Sequence, residues 1–188
     1  MRIGMTVVCW TLLITLAPST SMPGQSKDSA STQDSCRNFA QEFYDWYLPN
    51  THVKEIKRNG EPAWEFALKN RRSAFDPELV RQLEESHARA QRQGEPFLDF
   101  DPVLNSQDPA VHYVIEKSML KDGHCWADVH GVWSEKESEK PDVVAELILK
   151  DGQWVYVDFH YPNSETPDSR SLLRMLRFLR KPQESPPK

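Results

Sequence analysis

Two Asp-Gly pairs, Asp122-Gly123 and Asp151-Gly152, constrain this chain more than any other feature, because each stands between two runs of strand-like residues. Asp-Gly tolerates the backbone conformations of a tight two-residue turn, so each pair predicts a β-hairpin. Before the first pair, Val111, Tyr113 and Ile115 alternate with His112, Val114 and Glu116. After it, Cys125, Ala127 and Val129 alternate with Trp126, Asp128 and His130. A period of two gives each strand two distinguishable faces. The second pair joins residues 142–150 to residues 153–161, both rich in Val, Ile, Trp, Tyr and Phe. Between the hairpins, residues 134–141 are charged, lack apolar side chains and end in Pro141, which reads as a solvated connection. The expectation is a four-stranded antiparallel meander, and one sheet of this kind needs helices packed on a face.

The preceding residues supply them. Cys36, Phe39, Ala40, Phe43, Trp46 and Tyr47 recur at three- and four-residue spacing, which predicts a helix face, with Pro49 helping to end the helix. Residues 64–70 are too few to assign. A second helix is punctuated by Asp76 as N-cap, Pro77 at the first helical position and Gly94 at the end. His87 falls on its face with no partner spaced to make it a ligand. After the sheet, Thr166-Pro167-Asp168 offers a helix start. Leu172, Met175, Leu176 and Leu179 then gather opposite Arg170, Arg174, Arg177 and Lys181. That basic stripe suits an acidic partner or an anionic membrane surface, but the favoured reading is a helix docked on the sheet with its charges in water.

At 188 residues, the chain is long enough for one domain with a core. Residues 1–21 have the layout of a secretory signal peptide: Arg2, an apolar run of about fifteen residues, then Pro18 and small residues. Residues 22–34 read as a disordered linker, 35–181 as one α+β domain and 182–188 as a disordered tail. Removing the leader takes the formal net charge from -5 to about -6. Such an acidic protein is a poor nucleic-acid binder. Cys36 and Cys125 remain in an oxidising compartment, where an even count permits one disulfide.

Chemistry is sparsely signalled. Asp128 and His130 lie two apart on one strand, and Asp158 and His160 on another, so each pair projects to one face. A His beside a carboxylate can act as general base. In a suitable register, Trp126, Trp154 and Tyr156 would share those faces and wall a pocket, while Trp46 and Tyr47 are further pocket candidates on the first helix. The competing reading places the Asp and His residues on the solvated side of the sheet. Residues 99–109, DFDPVLNSQDP, carry oxygen ligands that calcium could use, but they lack EF-hand spacing and read better as a turn. No cofactor and no metal are expected.

FYDWYLP from Phe43, AFDPEL from Ala74, the DFDPVLNSQDP stretch and DGQWVYVDFHYP from Asp151 together resemble an uncharacterised family of secreted bacterial domains. The resemblance implies a cystatin-like or nuclear-transport-factor-2-like fold, in which helices cover a curved four-stranded sheet. It brings no assigned activity. The resulting expectation is a secreted or periplasmic binding module of the envelope accessory or inhibitor kind, with an unknown envelope protein or small ligand as partner. The alternative is a small acid–base isomerase or dehydratase built on the sheet-face Asp and His residues.

Overall fold

The computed structural model describes residues 24–52, 60–134 and 136–180, with side chains from Ser29 onward. The expected leader, the tail and Lys181 lie outside the described residues. Both Asp-Gly pairs turn as the sequence predicts: φ is 53° and 80° at Asp122 and Gly123, and 51° and 79° at Asp151 and Gly152. The first hairpin joins β1 (His112–Lys121) to β2 (His124–Trp133), and the second joins β4 (Val143–Lys150) to β5 (Gln153–His160). All pairings are antiparallel, in the order β1-β2-β4-β5.

The sheet has five strands rather than the expected four. Lys136–Glu137 forms a short β3 that pairs with Val132 and Trp133 at the end of β2. β4 pairs with β2 only over residues 124–129, so the last backbone groups of β2 are left for the connection to fold back upon.

Among the described residues four α-helices complete the α+β architecture: α1 (Gly24–Thr51), α2 (Ala63–Arg71), α3 (Pro77–Gln93) and α4 (Leu172–Leu179). The segment expected to be a linker is helical from Gly24. Within it Gln33 donates to the Ser118 carbonyl, and just beyond it Trp154 Nε1 donates to Ser35 Oγ at 2.9 Å. Pro49 does not end α1, which continues to Thr51. Asp76 caps α3 by accepting from Glu78 N, and Gly94 closes that helix in the left-handed region. Ser171, rather than residues 166–168, caps α4.

α1 buries Cys36, Ala40, Phe43, Tyr44 and Tyr47 in one core with Ala127, Val129, Ala145, Leu147, Tyr156 and Phe159 of the sheet. A disulfide joins Cys36 on α1 to Cys125 on β2, with Cα atoms 6.6 Å apart, which fits an oxidising, extracytoplasmic environment. Among the described residues no helix is long and apolar enough to cross a membrane.

Residues 101–104 are held from three directions. Tyr44 donates to the Val103 carbonyl, Tyr161 to the Pro102 carbonyl and Tyr47 to Asp101 Oδ2, at 2.9, 2.9 and 2.7 Å. Asp101 Oδ2 also lies 2.7 Å from His52 Nε2, while Oδ1 accepts from Val103 N and Leu104 N. The stretch weighed as a calcium loop therefore has its buried carboxylate engaged by the chain's own donors, as a turn requires.

Candidate functional site

The face of the sheet turned away from α1 is half-open. Along β4, Val143, Ala145 and Leu147 are buried, while Val144, Glu146 and Ile148 are half-buried. Register places Trp126 opposite Glu146, and Glu146 opposite Asp158. Asp128 lies opposite Val144, and Val144 opposite His160. Asp128, His130, Asp158 and His160 thus share one face, as their spacing predicts, and Trp126 shares it with them.

Trp154 and Tyr156 do not. The β5 register shifts between Tyr156, opposite Leu147, and Asp158, opposite Glu146, leaving Val157 as an extra residue. A bulge of this kind inverts the alternation beyond it. Tyr156 is therefore in the core with Phe39, Phe43, Phe75 and Phe159, and Trp154 is buried against α1 through Ser35. The helix candidates have structural surroundings too: Tyr47 is fully buried at Asp101, and Trp46 lies between Phe66 and the Arg71 guanidinium.

Glu146 is the centre of one polar cluster. His160 Nε2 lies 2.7 Å from Oε2, His124 Nδ1 lies 2.7 Å from Oε1, and the Trp126 ring centroid is 4.9 Å from that of His160. Burial pushes the Glu146 carboxyl up, but the hydrogen bond and charge of His160, aided by His124, outweigh it and hold the group below its ordinary value of 4.5. Asp158 goes the other way. Burial raises it against the opposing influence of Leu173 N–H, Ser171, His160 and Phe159 N–H. Its Oδ1 accepts from Phe159 N at 2.8 Å and Leu173 N at 3.0 Å, so this carboxylate secures the start of α4.

The second cluster surrounds His130, whose side chain is 3% exposed. Nδ1 lies 2.8 Å from the Ser138 carbonyl, and Nε2 lies 3.4 Å from Glu116 Oε2. Glu137 Oε1 is 3.7 Å from Nδ1. Asp128 stands nearby, its carboxyl raised by burial and partly restored by His130 and Lys117. Sequence reasoning found His130 but missed Glu116, Glu137, His124 and Glu146. Glu146 was signalled only as the lone acid in VVAELILK, and its meaning depends on the β2–β4 register.

Glu146→Gln should lower stability at neutral pH by about 1–2 kcal/mol, the scale of a hydrogen bond to a charged group. A depressed carboxylate contributes stability above its unfolded value that is lost as pH falls through its folded value. The difference between parent and variant should therefore shrink as pH drops below 4.5. Urea midpoints at neutral pH and at progressively lower pH check this; a gap that persists in acid contradicts it.

The basic residues Arg170, Arg174 and Arg177 are exposed around α4, with Leu172 and Leu176 buried beneath. A cleft of about 600 Å³ opens elsewhere, lined by Arg72, Phe75, Arg81, Glu84, Lys150 and Val155. Its arginines are paired, Arg72 with Glu84 and Arg81 with Glu78 and Glu85.

No family model matches the chain, and no curated protein matches it. Among solved structures it is similar to a protein of unknown function from Bacteroides thetaiotaomicron VPI-5482, at 16% identity over 72% of this chain and 95% of that chain, with a TM-score of 0.49. At that score the likeness carries no reading of fold or function.

Proposed function

We propose that this chain is a secreted or periplasmic binding module that takes a basic protein partner on the outer face of its sheet. The contrast between the two faces supports this reading most. On the inner face, the space a pocket enzyme would need is filled by Phe43, Tyr44, Tyr47, Tyr156 and Phe159, none more than 2% exposed. On the outer face, Val114, Met119, Trp126, Val144 and Ile148 are interspersed with Glu116, Asp128, Glu137 and Glu146, with Lys117 paired to Glu116 and Lys121 at the hairpin end. A tryptophan among carboxylates is the composition of an interface anchor with charge complementarity to a cationic surface. The acid–base alternative, a His beside a carboxylate on the sheet face, draws less support from the arrangement of the two Asp/His pairs. They stand in separate clusters, with Asp158 engaged at α4.

The same proposal includes removal of residues 1–21 on export and the cystatin-like or nuclear-transport-factor-2-like architecture. The Cys36–Cys125 disulfide supports the compartment. The basic face of α4 is left as a solvated surface.

A photo-crosslinking residue at Met119, which is 55% exposed, tests the interface in the chain's own secretory compartment, with Gln91 on α3 as control. The expected result is one discrete adduct to a basic protein from position 119, absent from position 91 and weakened by Asp128→Asn. No adduct from a folded, exported chain, or equal labelling from both positions, would overturn the proposal.

A further inference from the structure

His130 is an unusual residue to leave with an unpaired nitrogen. Its Nδ1 donates to the Ser138 carbonyl at 2.8 Å, which leaves Nε2 as the ring nitrogen open to a ligand role. That Nε2 is buried and has no hydrogen-bond partner among the described residues. A buried polar atom without a partner calls for an explanation, and an ion is one such explanation.

The surroundings supply the rest of a ligand set. Glu116 is the extra residue of a bulge in β1, where the register steps from Ile115 opposite Val129 to Lys117 opposite Asp128. β3 pairs Glu137 with Val132, two residues after His130 and on the same face. One donor atom from each of Glu116, His130 and Glu137 lies within 4.8 Å of the others. Lys117 Nζ pairs with Glu116 Oε1 at 3.1 Å, while Glu116 Oε2 is the oxygen nearest His130.

The carbonyl that orients His130 is itself fixed. Ser138 N donates to the Gly131 carbonyl at 2.9 Å, and Ser138 Oγ lies 3.1 Å from both that carbonyl and Asp142 Oδ2. Asp142 Oδ2 in turn accepts from Gly131 N at 2.7 Å. Metal-binding imidazoles are characteristically held in this way, by a hydrogen bond from the other ring nitrogen to a backbone carbonyl.

We propose that Glu116, His130 and Glu137 form a divalent transition-metal site of the zinc type, with His130 Nε2 as the nitrogen ligand, Glu116 Oε2 beside it, and the exposed Glu137, whose Oε1 lies 3.7 Å from Nδ1, closing from the rim by a side-chain rotation. One imidazole and two carboxylates leave a coordination position for water or a partner's side chain. The cluster around Glu146 is the weaker candidate, because both Glu146 oxygens already face histidines and Asp158 Oδ1 holds backbone N–H groups. The site shares Glu116 and Glu137 with the outer face described above, but it is argued from the His130 geometry and does not rest on the binding reading.

Titration of the untagged, disulfide-bonded chain with Zn²⁺ by calorimetry in a non-chelating buffer tests it. The expected result is one equivalent bound, with affinity falling at least ten-fold in His130→Gln and in Glu137→Gln, and unchanged in the double variant His124→Gln/His160→Gln. Glu137 is exposed, so its variant tests the site even if His130→Gln fails to fold. Absence of binding by the parent, binding that survives Glu137→Gln intact, or binding lost with His124 and His160 would each overturn the assignment.

Discussion

Replacing Asp101 with alanine is expected to remove about 3–5 kcal/mol of folding stability, the scale for breaking a buried charged network. The Asp101 side chain is 4% exposed and serves four donors: Val103 N, Leu104 N, Tyr47 Oη and His52 Nε2. Alanine takes this acceptor from Val103 N, Tyr47 Oη and His52 Nε2, while Leu104 N keeps the backbone carbonyl of residue 101 at 3.3 Å. Asp101→Asn should recover part of the loss, because it keeps one oxygen but puts an amide where two donors converge. Tyr47→Phe removes one donor and leaves the carboxylate otherwise engaged, so about 1–2 kcal/mol is expected. Urea unfolding monitored by tryptophan fluorescence gives all three values. A cost below about 1 kcal/mol for Asp101→Ala would mean that the loop rearranges and solvates its donors.

Loss of the disulfide should cost nearly as much. Cys36 and Cys125 are 89 residues apart, and cross-linking a loop of that length restricts the unfolded chain by about 4–5 kcal/mol in the chain-entropy view, with measured losses for native bridges of about 2–5 kcal/mol. Both cysteines are fully buried, so a Cys36→Ala/Cys125→Ala variant also gives up a little packing between α1 and β2. For a domain of this size the melting temperature should fall by about 2–4 °C per kcal/mol lost. Parent protein unfolded with and without reductant, beside the double variant, makes the comparison. If the transition does not move on reduction, the bridge contributes little to stability.

The parts of this architecture that are local in sequence were legible in the sequence. Asp122-Gly123 and Asp151-Gly152 specify their turns through backbone conformations that few residue pairs accept, and Asp76-Pro77 with Gly94 specify both ends of α3. Counting and compartment permitted a Cys36–Cys125 bridge, but its formation depends on α1 crossing β2 within bridging distance, which a single sequence does not carry. What failed to show were the places where one residue shifts the phase. Neither Glu116 nor Val157 is a glycine or a proline, so nothing in the pattern announced a bulge. Reading straight through Val157 put Trp154 and Tyr156 on the same face as Asp158 and His160. β3 escaped for a different reason. Lys136 and Glu137 have no apolar pattern, and they pair because β4 leaves the end of β2 unoccupied. The clustering of Glu146 with two histidines is a property of register between strands, which a single sequence does not carry.

The tyrosine contacts to residues 101–103 also bear on the order of assembly. They span 54 to 59 positions in the chain, from α1 forward to the loop and from the end of β5 back to it. Contacts of such separation form after local hairpins, because chain closure must precede any gain from them. Tyr161, the last of the three to leave the ribosome, reaches the loop only once β5 has taken its place. A chain cut short before Tyr161 would keep both hairpins and the Tyr44 and Tyr47 bonds to the loop, but the Pro102 carbonyl would lose the donor that ties the loop to the end of the sheet.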